Sequence, residues 1–178
     1  MKSKNTLATM VTAAALSILA GIALAAQDKY TLKLRDGVAF SDFYGYEDWR
    51  LISTSKTDDR LKVILGNPTI IAAFKSGIPG NGKAFPDGSK IAKVQWKPKK
   101  STEAPFVVDV PDTLADLFFM EKDSKRFSKT GGWGYAQFDY DPASATYTAD
   151  KAGTPTCGDV CHVKVKAKDY VFHPYQMR

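Results

Sequence analysis

Short alternating runs of apolar residues separated by turn-rich segments constrain the fold of this chain more than any other feature. Alternation with a period of two is typical of strands that present different side chains on their two faces. No segment repeats the strand-helix-strand rhythm of a parallel sheet. The sequence therefore predicts an α+β domain built mainly on an antiparallel sheet with a few helices. The expected strands begin at about 49, 60, 89, 114 and 133, and the last of these, residues 133–141, is expected to be the final strand.

One helix is predicted with clear start and stop signals, in the segment "NPTIIAAFKSG". Asn67 is suited to cap the helix, Pro68 takes the first helical position, and Gly77 allows a left-handed exit. Its apolar stripe consists of Ile70, Ile71 and Phe74. A second short helix or a loop is expected over residues 40–49, before the first strand.

The first 25 residues have the organisation of a secretory signal peptide. Lys2 and Lys4 precede an apolar run over residues 7–24, which ends in the small-residue pattern Ala23-Leu24-Ala25. A retained membrane anchor is the alternative, but the run is rich in alanine, contains Thr and Ser, and has no basic stop after it. We expect cleavage after Ala25, a periplasmic location, no membrane span in the mature protein, and one domain over residues 26–178.

The charge pattern argues against a nucleic-acid partner. The chain has a formal net charge of +6, and its lysines are scattered among acidic residues except in "KPKK", residues 97–100. A single short basic run of this kind is more typical of a solvated hairpin or loop than of a phosphate-binding surface.

Both cysteines and one of the two histidines lie within six residues, in "CGDVCH". Cys157, Cys161 and His162 form the pattern C-x-x-x-C-H, one residue longer than the signature of c-type haem attachment. Two thiols add to the haem vinyl groups, and the imidazole that follows becomes an iron ligand. A helical turn would hold the three groups together, and local backbone distortion would have to absorb the extra residue.

Two other interpretations of this cluster stay open on spacing alone. In an oxidising compartment Cys157 and Cys161 could form a disulfide that closes a small loop. Alternatively, Cys157, Cys161 and His162 could form a tetrahedral zinc site together with His173. A disulfide requires no histidine, whereas the zinc site would use every cysteine and histidine of the chain.

Several blocks of sequence resemble the cytochrome P460 family, which includes the β-type cytochromes c-prime. These blocks are "GYEDWRLIS", "NPTIIAAFKSG", "FPDGSKIAKVQW", "KDSKRFSKTGGWGYAQF" and "CGDVCH" followed by "DYVF", and they extend from about residue 45 to residue 172. The resemblance implies a periplasmic, mostly antiparallel β protein that is often a homodimer. It also implies one covalently attached haem with an open distal face.

The resemblance further implies roles for individual residues. His162 would be the proximal iron ligand, and Cys157 and Cys161 would anchor haem c through thioether bonds. The three-residue spacer departs from the commoner two, so haem binding is better supported than covalent attachment. Enzymes of the family oxidise hydroxylamine, pass electrons to a partner cytochrome and carry a lysine joined to the porphyrin, whereas the β-type cytochromes c-prime bind nitric oxide or another small gas.

The remaining candidates are weaker, and no catalytic residue is assigned. Lys75 and Lys83 flank the region in which a lysine joined to the porphyrin would be expected, but both are expected to be surface groups. Trp49, Trp96 and Trp133 are expected to fill the core or a dimer contact, and packing is also favoured for the candidate haem caps Phe40, Phe43 and Phe85.

A single histidine ligand leaves one coordination position of the iron vacant, so the sequence favours binding or oxidation of a small nitrogen compound. An electron-transfer cytochrome would need a second axial ligand, for which Met120, Met177 and His173 are the candidates. The other alternative is a haem-free periplasmic binding or interaction domain with a Cys157–Cys161 disulfide.

Overall fold

The computed structural model describes residues 26–34, 38–150 and 156–176. The expected signal peptide, residues 1–25, lies outside these ranges. The six strands are β1 (Arg50–Thr57), β2 (Arg60–Gly66), β3 (Lys90–Lys100), β4 (Asp109–Lys122), β5 (Trp133–Asp141) and β6 (Thr146–Ala149). The α-helix, α1, covers Pro68–Lys75, and short 3₁₀-helices cover Lys29–Thr31, Phe40–Phe43, Tyr46–Asp48, Ser128–Thr130 and, with a kink at Val165, His162–Lys168.

The strands form one antiparallel sheet in which each strand pairs with its sequence neighbours, in the order β1-β2-β3-β4-β5-β6. Short turns join β1 to β2 and β5 to β6, and longer loops over residues 101–108 and 123–132 join β3 to β4 and β4 to β5. Helix α1 with a turn-rich loop connects β2 to β3. The predicted class, α+β and mainly antiparallel β, is confirmed. The turn between β1 and β2 lies at Asp58 and Asp59.

The sheet has two covered faces, and each carries its own apolar cluster. The N-terminal face packs against the short helices at the start of the chain and buries Phe40, Phe43, Tyr46, Ala92, Val94, Leu117, Phe119 and Phe138. The C-terminal face packs against α1 and the C-terminal segment, and buries Ile64, Ile70, Ile71, Ile91, Met120, Trp133, Tyr135 and Val171. Because side chains alternate along a strand, neighbouring residues such as Phe119 and Met120 belong to opposite faces.

Helix α1 begins and ends where its sequence signals predict. The Asn67 side chain accepts a hydrogen bond from the Ile70 amide at 3.1 Å, which caps the helix. The same side chain bonds the amide of Lys90 at 3.0 Å and the carbonyl of Gly88 at 2.8 Å. Gly77 has a φ of 88°, the left-handed conformation expected after the last turn. Asn67 therefore joins the helix to the start of β3.

The β3–β4 hairpin is longer than predicted, because β4 begins at Asp109 rather than near Leu114. Its added length carries few apolar side chains and is joined across the strands by ion pairs, Lys100 with Asp109 at 2.7 Å and Lys99 with Asp112 at 3.0 Å. Apolar alternation cannot reveal such a segment. The basic run at residues 97–100 is the exposed end of this hairpin, as the sequence predicts.

Two further predictions about strands were wrong. Strand β5 is not the final strand, because β6 follows it and packs Tyr147 against Phe40 with 5.4 Å between ring centroids. In β2, alternation predicts Leu61, Val63 and Leu65 on the more buried side, but these three side chains are half-buried and Ile64 is the buried one. Both faces of the sheet are covered there, so simple alternation does not identify the more buried face.

Within the described ranges, no helix is long and apolar enough to cross a membrane.

Candidate functional site

The backbone around the two cysteines is distorted in the way that the extra spacer residue requires. Residues Thr156–Cys161 form a π-helix, and His162–Lys168 continue as a 3₁₀-helix. A π turn contains about one more residue than an α turn. Cys161 lies four positions after Cys157, and in a π-helix this step covers slightly less than one full turn. The three-position step of the ordinary C-x-x-C-H motif covers a similar part of a turn in an α-helix. The expectation of local distortion is confirmed.

Cys157, Cys161 and His162 all line one cavity of about 340 Å³ between the C-terminal segment and the sheet. This volume lies within the usual range for small-molecule and cofactor sites. Most of the other lining groups are apolar, and they come from the four strands β2 to β5 and from the tail: Ile64, Ile91, Lys93, Phe118, Phe119, Met120, Tyr135, Ala136, Val171, Phe172 and His173. The structure therefore brings the three predicted site residues together at one apolar cavity.

One nitrogen of His162 is already engaged by the protein. The Nδ1 atom lies 2.6 Å from the backbone oxygen of Tyr170. A carbonyl oxygen only accepts hydrogen bonds, so Nδ1 carries the proton and Nε2 keeps its lone pair. The imidazole ring also contacts Tyr135 and Phe172, each at 4.9 Å between ring centroids. His162 is thus fixed in the tautomer that an iron ligand at Nε2 needs.

The surroundings of His162 also favour its neutral form. Burial lowers the pKa of His162, and the charge of Lys93 acts in the same direction, while the hydrogen bond to Tyr170 opposes them. A ligating imidazole must be unprotonated, so the lowered pKa keeps His162 ready to bind metal near neutral pH.

Neither competing interpretation of the cluster finds support among the described residues. Both cysteines are free thiols, Cys157 half-buried and Cys161 exposed. Burial raises the pKa of the Cys157 thiol. No group of three or more His, Cys, Asp or Glu side chains in the described ranges is arranged to hold a metal ion.

Lys93 is the site residue that sequence reasoning missed. It lies on β3, lines the cavity, and has its Nζ 3.8 Å from the centre of the Phe118 ring. Burial and the nearby charge of Lys62 lower the pKa of Lys93. Lys75 and Lys83 are exposed, and neither lines the cavity. The signal that could have identified Lys93 is its position two residues from Ile91, on the face that β3 turns towards the site.

Two of the candidate second axial ligands also reach the cavity. Met120 projects from β4, and His173 lies on the tail beyond the 3₁₀-helix. Burial lowers the pKa of His173, with Lys93 and Lys62 adding to the effect. Met177 lies outside the described residues.

The aromatic caps suggested by the sequence occupy other places. Phe40 and Phe43 are buried on the N-terminal face, away from the cavity, and Phe85 packs against Trp133 with 6.1 Å between ring centroids. Phe118 and Phe172 line the cavity instead. The tryptophans serve in packing, as predicted: Trp133 is fully buried on the C-terminal face, and Trp49 and Trp96 pack against the cluster of the N-terminal face.

The chemistry of these residues fits a haem. Cys157 and Cys161 provide two thiols, His162 provides one neutral imidazole with a free Nε2, and the sheet and tail provide apolar walls for a porphyrin. No curated protein matches the chain. The family model described as Cytochrome P460 matches residues 44–173, which is most of the chain and includes every described residue of this site.

Proposed function

The chain belongs to the cytochrome P460 family, and from this membership together with the site we propose that it is a c-type haem protein that binds or oxidises small nitrogen compounds. Hydroxylamine and nitric oxide are the proposed substrates or ligands. We further propose that the mature protein comprises residues 26–178 and acts in the periplasm. Members of this family are generally exported haem proteins, which supports that location.

The geometry of His162 is the observation that carries the proposal. Its Nδ1 proton is held by the Tyr170 carbonyl at 2.6 Å, so the opposite nitrogen is left to ligate iron. His162 directly follows Cys161 in the chain, and both line the same cavity as Cys157. Two thiols and an oriented imidazole on one wall are what covalent haem attachment requires of a protein.

The remaining cavity residues have roles that follow from their chemistry. Haem, when bound, supplies an iron centre for ligand binding and electron transfer. The side chains of Ile64, Ile91 and Val171 exclude water from its surroundings, which strengthens electrostatic interactions within the site. Lys93 is the one lysine among the lining residues, and we propose it as the residue joined to the porphyrin if the protein is a hydroxylamine-oxidising enzyme.

Electron transfer is the second candidate function, and a specific observation favours it. Met120 and His173 both line the cavity with His162, and either side chain could occupy a second axial position. The spectrum of the native protein distinguishes the two functions. A five-coordinate, high-spin iron supports small-molecule chemistry, whereas a six-coordinate, low-spin iron that changes in Met120→Ala or His173→Ala supports electron transfer.

His162→Ala tests the proposed function directly. The variant is expected to lose the visible spectrum of a histidine-ligated haem, while the control Lys75→Ala, at an exposed residue that does not line the cavity, retains it. An unchanged spectrum in His162→Ala would refute the assignment of the ligand.

Peptide mapping and turnover then separate enzyme from gas-binding protein. A haem-linked peptide containing Lys93, together with steady hydroxylamine oxidation in the presence of a dye acceptor, is expected of an enzyme. Tight nitric oxide binding without turnover is expected of a gas-binding protein. We propose that the protein forms a homodimer, which analytical sedimentation tests. We also propose that it passes electrons to a partner cytochrome, which the kinetics of reduction of that cytochrome test.

A further inference from the structure

We propose that Lys122 and Asp169 are positioning residues for the iron ligand: their buried ion pair holds the Tyr170 carbonyl against His162 and thereby sets how strongly the imidazole donates electrons. This inference rests on the proposed function, since it assumes that His162 ligates a haem iron. Neither Lys122 nor Asp169 is among the residues that line the cavity.

The ion pair is buried and has several partners on each side. Lys122, at the end of β4, places its Nζ 2.8 and 3.0 Å from the two carboxylate oxygens of Asp169. The side chains are only 6% and 12% exposed. The Nζ atom also donates to the Gly131 carbonyl at 2.8 Å, and the Asp169 carboxylate accepts from the Phe85 amide at 2.7 Å. Asp169 is thus fixed to two separate parts of the sheet domain.

The backbone at Asp169 and Tyr170 adopts a conformation that needs such support. Asp169 has a φ of 46° and Tyr170 a φ of 64°, both in the left-handed region, where non-glycine residues are uncommon. Two consecutive residues of this kind persist only when the surrounding structure holds them. The turn they make ends the 3₁₀-helix and directs the Tyr170 carbonyl back to Nδ1 of His162.

The Tyr170 ring provides a second attachment for the same turn. It packs so closely on Gly131 that a Cβ atom there would lie 2.1 Å from the ring. Gly131 is also the residue whose carbonyl bonds Lys122. The position of the Tyr170 carbonyl is therefore fixed by one connected group, which consists of the Lys122–Asp169 ion pair, the Tyr170 ring and Gly131.

A buried ion pair rarely adds net stability compared with apolar packing, so a positional role accounts better for its presence here. A partner that bonds the second nitrogen of a metal-ligating histidine fixes its orientation and raises its basicity. A firmly held Tyr170 carbonyl makes His162 a stronger donor, which favours ferric over ferrous iron. Loosening the turn should weaken the donor and shift the equilibrium towards the reduced state.

The test uses Asp169→Asn and Lys122→Gln in the full-length haem protein. Asp169→Asn is expected to fold, because asparagine tolerates the left-handed region and can still accept the Phe85 amide. Both variants should shift the reduction equilibrium about tenfold towards ferrous iron, which is about 59 mV for a one-electron couple. In both variants the iron–histidine stretching frequency of the ferrous protein should fall. Lys122→Arg keeps the positive charge, so its reduction equilibrium and stretching frequency should stay close to those of the parent.

Lys90→Gln is the matched control. It breaks another largely buried pair, Lys90 with Glu121 at 3.2 Å, which lies at the same end of the sheet but on its N-terminal face, where the Lys90 Nζ lies over the Phe43 ring. The control should lose stability without a change in potential or stretching frequency.

Parent-like values in a folded Asp169→Asn protein would overturn the inference while leaving the proposed function intact. Failure of both pair variants to fold would also overturn it, because the pair would then serve the fold as a whole. A parent protein without haem would refute the proposed function itself.

Discussion

Gly131→Ala is a stringent test of the structure beside the candidate ligand, because Gly131 carries two constraints at once. Its φ of 67° lies in the left-handed region, where a side chain is disfavoured. Its missing Cβ is also the space occupied by the Tyr170 ring, whose nearest atom would be 2.1 Å from an added carbon. Tyr170 supplies the carbonyl that bonds His162, so the substitution tests where that residue lies.

The two constraints give separate contributions to the free energy of unfolding. A left-handed conformation costs a non-glycine residue about 1–2 kcal/mol. Carbon atoms pack at about 3.5 Å or more, so the ring would have to retreat by roughly 1.4 Å from the 2.1 Å contact, and overpacking of this kind costs about 1–3 kcal/mol. The expected total loss is about 2–5 kcal/mol.

Gly88→Ala separates the two contributions. Gly88 has a φ of 83° and no atom within 4 Å of an added Cβ, so it should lose only the conformational part, about 1–2 kcal/mol. Urea unfolding of both variants and the parent, analysed by linear extrapolation, gives the comparison. Equal losses in the two variants would refute the placement of Tyr170 against Gly131.

Three further predictions concern the anchors, the ligand and the helix cap. Replacing Cys157 or Cys161 singly by serine should leave the haem attached through the remaining thioether bond. Acid extraction followed by mass spectrometry measures the attached haem. Release of haem from either single variant would contradict attachment at two points. Because burial lowers the pKa of His162 below its ordinary value of 6.5, acidification should displace the ligand only below that pH. A Soret-band titration with a midpoint above pH 6.5 would argue against this. Asn67→Ala should lower the free energy of unfolding by about 2 kcal/mol, the upper end of the range for loss of a helix cap, because three hydrogen bonds of the Asn67 side chain are lost. Thermal or urea unfolding measures this loss.

Local signals made the helix and most strands predictable from the sequence. Asn67, Pro68 and Gly77 define α1 by capping chemistry that acts within a few residues. The central strands were predictable because their apolar groups alternate. Strand β6 escaped prediction because it has four residues, too few for the alternation of Tyr147 and Ala149 to stand out. The outer part of the β3–β4 hairpin escaped prediction because it is held by pairing and by ion pairs such as Lys100 with Asp109, which leave no apolar pattern.

The candidate site was predictable only where its residues are neighbours in the chain. Cys157, Cys161 and His162 form a recognisable motif because haem attachment requires them in sequence order. Lys93 and Phe118 come from separate strands, and only the register of the sheet places them together at the cavity. The Tyr170 carbonyl could not be predicted at all, because a backbone atom carries no sequence signature.

The most direct measurement of the central claim is the intact mass and visible spectrum of the native protein, purified from cells with a working c-type cytochrome assembly system. We expect a chain heavier by one haem, with a haem-bearing peptide that contains Cys157, Cys161 and His162. A colourless protein whose mass is that of the polypeptide less two hydrogens would contradict it, because the cysteines would then form a disulfide and His162 would have no iron to ligate.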